Sequence, residues 1–425
     1  MKRKWFRLDN AALIFPAVMR RGWNNAFRLS VTLTDEIDPD CLERAAGDLR
    51  PRFPTFFVRL KTGFFWYYLE ETDGPIPIQR EYAYPLTRMS RRELRSSCVR
   101  ILWFQDRIAV EFFHSVTDGT GGMIFLQNLT ARYLELKYGA EIPGEMSILN
   151  LKDSPRENEI RDCFLVCSGR YAAGRREENA YRLRGEPEPD RFRHLTTGIV
   201  STPELLRAAH GYGVSVSVFL ASVMAWAVMG KQRYERPEKR LKPVKITIPV
   251  NLRKVFGTDT LRNFALTVNI GVDPKFGEYS FEQLCASMAH QLALETVPQK
   301  MAGRIAANVN PQQNALVRIM PLPVKNLVMR GVYAASGECK GCLNVSNLGQ
   351  VNVPAAMERY IRRFEFIIGV QYSYPNNCSV VSYGGRTFIS MIRSTKDSEL
   401  ERRFFSGLVE RGVAVEIESN ERRAR

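Results

Sequence analysis

The chain has 425 residues, 45% hydrophobic and 25% charged, an ordinary balance for a folded protein that excludes a disordered one. This exceeds the usual domain size of roughly 100–200 residues, so two lobes are expected, with room for a large core and a deep cleft. Lys and Arg outnumber Asp and Glu by 61 to 45, a formal charge of +16. That excess favours anionic partners (a phosphate-bearing cofactor, an acidic carrier protein, nucleic acid or a membrane surface) without choosing among them.

The N-terminus, MKRKWFRLDNAALIFPAVMRR, has a basic start and a nine-residue apolar patch. The patch follows Asp9 and Asn10 and ends in Arg20 and Arg21 without a small-residue cleavage site, which argues against a signal peptide. FRLSVTLT alternates as a strand does, PDCLERAAGDLR has helical spacing, and FFVRLKTGFFWYYLEE reads as a hairpin. ILWF, a turn at Gln105–Arg107 and IAVEFFH form a second hairpin. Gly119 and Thr120 then open a helix with apolar residues at Ile124, Phe125, Leu129, Tyr133 and Leu136, ended by Gly139. Residues 151–195 become charged and Pro/Gly-punctuated, the signature of a crossover joining an N-terminal lobe (1–150) to a C-terminal lobe (196–425).

The second lobe restarts with HLTTGIVS as a strand and TPELLRAAHGYG as a helix. SVSVFLASVMAWAVMG, the longest apolar run, is short for a membrane span and holds three serines, so a buried core helix and no transmembrane segment are expected. VKITIPVNLR, NFALTVNIGVDP and CLNVSNLGQV read as strands, FEFIIGVQYSYP and SVVSYGGRTFISMI as paired strands, FEQLCASMAHQLALE and ELERRFFSGLVERG as helices. Both halves mix strands and helices without strict βαβ alternation, so the fold class is α/β with mixed sheets. A soluble cytoplasmic protein follows from these readings.

The chemistry concentrates in EFFHSVTDGTGG, residues 111–122. In IAVEFFH the two-residue period places Ile108, Val110, Phe112 and His114 on one face. An imidazole at the apolar end of such a face is partly desolvated, which disfavours its protonated form and keeps it available as a base. Asp118 follows at a turn into a helix, where Gly119 can take conformations other residues avoid. The plain alternative is a core histidine beside an aspartate N-cap. Average usage gives roughly 0.02 chance occurrences of HxxxDG in such a chain, and the strand–turn–helix setting with a glycine-rich exit favours function.

HSVTDG resembles the HxxxDG motif of the CoA-dependent acyltransferase superfamily. That superfamily includes chloramphenicol acetyltransferase, plant BAHD acyltransferases, wax ester synthases, polyketide-associated acyltransferases and the condensation domains of peptide synthetases. RLDNAALIFPA is similar to the opening of bacterial alcohol acetyltransferase-like members. IPVNLRKVFG followed by LRNF resembles the second-lobe arginine segment and its downstream asparagine, and NVSNLG the SN-type strand of wax ester synthase relatives. The resemblance implies a two-lobed chloramphenicol acetyltransferase-like fold with an inter-lobe substrate channel, donor and acceptor entering from opposite faces. It makes His114 the general base toward an acceptor hydroxyl, and Asp118 a residue turned away from substrate to pair with an arginine, Arg253 being the best candidate. Gly119 would permit the turn and leave room for ligands. Ser346 or Asn347 would donate to the oxyanion, against the plain reading of a Ser-Asn strand-end turn. The implied co-substrate is acyl-CoA, acetyl-CoA included, with an alcohol acceptor, no permanently bound cofactor and a monomeric chain. An acyl carrier protein as donor, or an amine as acceptor, is the alternative within the fold; a non-catalytic binding module is the alternative outside enzymology. Two departures stand out: Phe113 replaces the first histidine of the HHxxxDG form usual in condensation domains, and the DFGWG segment of plant members is absent.

The remaining signals are weaker. CKGC at Cys339–Cys342 lacks a second ligand pair, so no metal is expected. Cys163 and Cys167 read as one helix face, and eight cysteines are too sparse for a disulfide scaffold. His194, His210 and His290 have no acidic partners in sequence and read as structural. Residues 231–245 hold seven Lys and Arg, either a solvated loop or a clamp for CoA phosphates with Lys242 and Lys245 as candidates. No nucleic-acid-binding motif is present.

Overall fold

The computed structural model describes residues 4–19, 25–174, 177–337, 339–371 and 373–421; Arg20 and Arg21, which end the N-terminal apolar patch, lie outside them. In chain order the strands are β1 (Trp5–Arg7), β2 (Ala26–Leu33), β3 (Val58–Thr62), β4 (Tyr67–Glu71), β5 (Ile78–Arg80), β6 (Val99–Phe104) and β7 (Arg107–Phe113). They continue with β8 (His194–Ser201), β9 (Val244–Asn251), β10 (Ala265–Val272), β11 (Leu343–Gln350), β12 (Ile361–Ile368), β13 (Asn376–Tyr383), β14 (Arg386–Arg393) and β15 (Glu416–Ser419). They form a five-stranded sheet ordered β12-β2-β7-β6-β5, a seven-stranded sheet ordered β10-β9-β11-β13-β14-β8-β15, and a small sheet ordered β1-β4-β3. Two hydrophobic cores fill the interior: one centres on the five-stranded sheet and takes in Ile199, Val381 and Phe388 from one face of the seven-stranded sheet, and the other packs on the seven-stranded sheet alone.

Strand β12 departs from the expected pairing. FEFII pairs antiparallel with β2, from Phe364 opposite Val31 to Ile368 opposite Phe27, while the hairpin lies wholly within the following segment, as β13 and β14 around Gly384 and Gly385. Both glycines have positive φ, 56° and 76°, which suits a tight turn that L-residues adopt poorly. The physical reason is that β2 is buried along its whole length and its edge away from β7 must be paired. The near-continuous apolar run of β12 can cover that edge while its own body packs on the second sheet, where Ser379 Oγ donates to the Phe366 carbonyl at 2.7 Å.

The Gly119–Tyr138 helix lies against the five-stranded sheet and the Pro39–Asp48 helix. The apolar run after Ser215 forms a buried helix, but it continues past Gly230 to Glu235. Lys231 is therefore no part of a loop: its ammonium is buried and pairs with Glu235, Asp397 and Glu399. The stretch from Pro298 to Ser336, which lacks a clear hydrophobic period, forms three helices, Pro298–Gln313, Ala315–Ile319 and Leu322–Ser336. Among the described residues, no single helix is long and apolar enough to cross a membrane.

The connecting segment contains two single-turn helices, Glu157–Ile160 and Cys163–Val166. Glu159 fastens it to both sides. Its carboxylate takes two bonds from Arg52, 2.6 and 2.8 Å, and its carbonyl accepts from Leu261 N at 2.8 Å. Although burial works to raise the Glu159 pKa, bonds from Arg52 and Arg156 hold it down at about 2. Both partners of the Arg52 pair are buried, and removing one charge from such a pair costs about 3–5 kcal/mol. Glu159→Gln should therefore lower the unfolding free energy by about 3–5 kcal/mol at neutral pH. The depressed pKa means this stability is present above the ordinary glutamate value of 4.5 and is lost as pH falls toward the folded value, so urea titrations of both proteins should converge in acid.

Candidate active site

Strand β7 ends at Phe113, and the chain turns at once: His114 N donates to Asn25 O at 2.7 Å, and Val116 N to Phe113 O at 2.9 Å. The apolar face of the strand carries through into this turn. Phe112 stacks on Phe27 with centroids 5.1 Å apart, and the His114 ring lies 5.0 Å from Phe27 and 5.1 Å from Phe15. Phe113, on the opposite face, is fully buried. Nδ1 of His114 is buried without a hydrogen-bond partner of normal geometry, while the residue borders a large cavity. Burial pushes the imidazole pKa below its ordinary value, only partly opposed by nearby carbonyls of His114 itself and Thr117 and by the Asp118 charge.

Asp118 caps the Gly119–Tyr138 helix and also reaches across the molecule. Oδ1 accepts from the backbone N–H groups of Thr120 and Gly121, each at 3.1 Å. Oδ2 accepts from Arg253 Nη1 and from Phe264 N, each at 2.8 Å. The cap and the ion pair are thus one residue's two oxygens rather than rival readings. Burial works against the charge, but Arg253 and the backbone donors hold the carboxyl below the usual aspartate range. Arg253 is itself enclosed: Nε donates to Thr260 O at 2.6 Å and Nη2 to Arg262 O at 2.5 Å. Asn263 Nδ2 completes the clasp with a 3.3 Å bond to the His114 carbonyl.

The glycines need a different account from the turn expected at Gly119. Gly119 is helical and is not among the positive-φ residues; its constraint is space, since a Cβ there would stand 2.7 Å from Leu348 Cδ2. Gly121 is tighter still, because its Cβ would meet Leu261 O at 2.3 Å and Thr117 Oγ1 at 2.2 Å. That close approach accompanies the 2.6 Å bond from Thr117 Oγ1 to Leu261 O, so small residues let the loop and the second lobe touch.

The cavity holds about 1250 Å³ and draws its walls from both lobes. His114, Asp118 and Gly119 border it, as do Ser346 and Asn347 of β11. Asn347 is braced, with Nδ2 donating to Ser217 Oγ at 3.1 Å and Oδ1 accepting from Gly349 N at 2.8 Å. Lys242 and Lys245 do not line it: Lys242 is an exposed residue, and Lys245 Nζ donates to Glu178 O at 3.1 Å. Lys254 and Lys325 line it instead. Two further lining residues, Asn10 and Asn25, are buried with amide nitrogens that have no partner. Asn10 stands in the quoted RLDNAALIFPA stretch, but nothing local in sequence shows that its amide is left open. His194 lies between Glu188 and Glu421, at 2.7 and 3.0 Å, so the expectation that it has no acidic partner is corrected: one of the two stands six residues upstream in the same charged segment. Among the described residues no group of His, Cys, Asp or Glu could hold a metal ion.

In sequence, no family model and no curated protein matches the chain. In structure, nearly the full length of the chain is similar to several solved proteins. TRI101 of F. sporotrichioides, crystallised with coenzyme A and T-2, aligns with a TM-score of 0.66 at 10% identity, covering 94% of this chain and 97% of that one. The trichothecene 15-O-acetyltransferase TRI3 from Fusarium sporotrichioides gives 0.58 at 10% identity over 96% and 94%. The epimerization domain from the third module of tyrocidine synthetase B gives 0.58 at 14% identity over 96% of each chain. The protein therefore has the two-lobed chloramphenicol acetyltransferase-like fold shared by CoA-dependent acyltransferases and condensation-type domains.

Asp118→Asn keeps a capping oxygen but leaves the Arg253 guanidinium buried without its counter-charge. Its expected cost is about 3–5 kcal/mol at neutral pH. The folded-state pKa is depressed, so the contribution is present above the ordinary aspartate value of 3.8 and disappears as pH falls through the folded value. Denaturant titrations across a pH series check this: a penalty that stays constant into strong acid rules out the ion pair as its source.

Proposed function

We propose that the protein is an acyltransferase that moves an acyl group, acetyl included, from coenzyme A to an alcohol, with His114 as general base. The observation that carries this reading is the imidazole of His114, kept neutral by an aromatic enclosure at the wall of a 1250 Å³ cavity and fixed by the Asp118–Arg253 clasp. With Nδ1 enclosed, Nε2 is the nitrogen left to take the proton from the acceptor hydroxyl as its oxygen attacks the thioester carbonyl. The tetrahedral intermediate collapses with cleavage of the C–S bond, and the leaving thiolate takes the proton held on the imidazolium. A side chain with a free donor beside His114 serves the oxyanion. Ser346 retains that candidacy, Asn347 is the more encumbered of the pair, and the unpartnered amides of Asn10 and Asn25 join it. Lys254, which lines the cavity, competes with Lys242 and Lys245 for the CoA phosphates. Eight unpaired cysteines suit a reducing, cytoplasmic setting. The similarity to the epimerization domain favours a carrier-protein thioester as the alternative donor.

The test follows free thiol released from acetyl-CoA with a panel of alcohols and amines. His114→Ala should lower kcat/KM by about 10²–10⁴-fold; equal rates in the two proteins remove the general-base assignment. Because the His114 pKa is depressed, the wild-type rate should be level above the ordinary histidine value of 6.5 and decline only below it, as the base becomes protonated. A decline already starting above that value contradicts the neutral-base reading.

A further inference from the structure

The three helices between Pro298 and Ser336 show a feature that the acyl-transfer site does not use. One side of them borders the cavity, through Val317, Met320, Met329 and Tyr333. Their other side projects large apolar residues into solvent: Leu316 is 72% exposed, Ile319 65% and Leu327 71%, with Val324 beside them. The β3–β4 tip extends this surface. Phe64, 73% exposed, accepts through its carbonyl from Leu322 N at 3.0 Å, and the carbonyl of Phe65 accepts from Lys325 Nζ at 2.9 Å. An exposed apolar surface of this kind is uncommon on a free-standing soluble protein and marks an interaction face.

Charge selects the partner. From Pro298 to Gly337 the sequence contains five Lys and Arg and no Asp or Glu. Arg318 and Arg330 are exposed on the helices, and Arg7, also exposed, lies over the Trp66 ring at 5.9 Å next to the tip. Lys300 and Arg304 pair with Glu295, which leaves Arg318, Arg330 and Arg7 as the exposed cations. Helices that expose apolar side chains and arginines and contain no carboxylate match an anionic bilayer surface, where aliphatic and aromatic side chains enter the acyl boundary and cations meet headgroups. Two copies of the chain would bring like charges together across the same face.

We propose that the Ala315–Ile319 and Leu322–Ser336 helices, with the β3–β4 tip, dock on an anionic lipid surface, so that a membrane-partitioned alcohol reaches His114 through the cavity these helices line. The acceptor half of this proposal rests on the acyltransferase reading; the docking half does not. The test sediments the full-length protein with phosphatidylcholine vesicles, with and without phosphatidylglycerol. Wild type should pellet with the anionic vesicles and be released by added salt. The triple variant Leu316→Ser, Ile319→Ser, Leu327→Ser removes only exposed side chains that do not line the cavity, and it should lose about tenfold or more in vesicle affinity. Its thermal unfolding and its thiol release with a short water-soluble alcohol should match wild type, while turnover of a long-chain alcohol carried in the vesicles falls by about the same factor. Wild type remaining in the supernatant, or a triple variant that binds as well as wild type, overturns the docking face. A dimer in the absence of lipid that the triple variant abolishes, with no vesicle binding, assigns the face to a second copy and overturns it too. Vesicle binding without thiol release from any alcohol supports the docking face and overturns the acceptor assignment.

Discussion

The buried contact between Asp118 and Arg253 is the constraint on which the rest depends. A carboxylate and a guanidinium removed from water are tolerated only when their remaining hydrogen-bonding capacity is met. Here it is. The carboxylate receives two helix N–H groups, the Phe264 N–H and the guanidinium, and the guanidinium donates to the carbonyls of Thr260 and Arg262. The donors come from segments more than a hundred residues apart, so the arrangement exists only when both lobes are folded and docked. That makes the position of the His114 turn a consequence of the inter-lobe contact rather than of strand β7 alone.

Around this clasp the molecule leaves several polar atoms unmet. Nδ1 of His114 and the amide nitrogens of Asn10 and Asn25 are buried without partners, and a buried unsatisfied group costs about 1–3 kcal/mol. Such costs persist where a ligand supplies the missing partner. The three residues border the same cavity, with the Asn25 carbonyl tied to His114 N. The His114 ring sits against Phe15 and Phe27, and the Asp118–Arg253 pair ties the turn that follows it to the second lobe.

The local patterns were legible along much of the chain. The two-residue period placed β2, β6 and β7, and the two faces of IAVEFFH separated His114 from Phe113 correctly. Partner choice and available space are not written in local periodicity. Strand β12 looks like a neighbour of β13 by proximity in sequence, yet it pairs with β2 because that edge needed covering. Gly119 looks like a turn glycine, yet it is helical, and the close packing that forbids a side chain is most severe at Gly121. The cationic run from Lys231 looks like a loop, yet its first residue is helical and is enclosed by Glu235 one turn on and by Asp397 and Glu399 from a distant segment.

Periodicity and residue chemistry alone determined that a histidine would end an apolar strand face, that an aspartate would stand at the start of the next helix, and that the chain would form two mixed lobes. These depend on neighbours within a few residues, where backbone geometry dictates which side chains share a face. Only the tertiary structure decided that Asp118 serves helix and arginine together, that Asn10 and Asn25 open onto the same cavity as His114, and that Lys242 and Lys245 stay outside it. Those outcomes depend on which surfaces meet when the lobes dock, and that is set by burial and hydrogen-bond satisfaction summed over the whole chain.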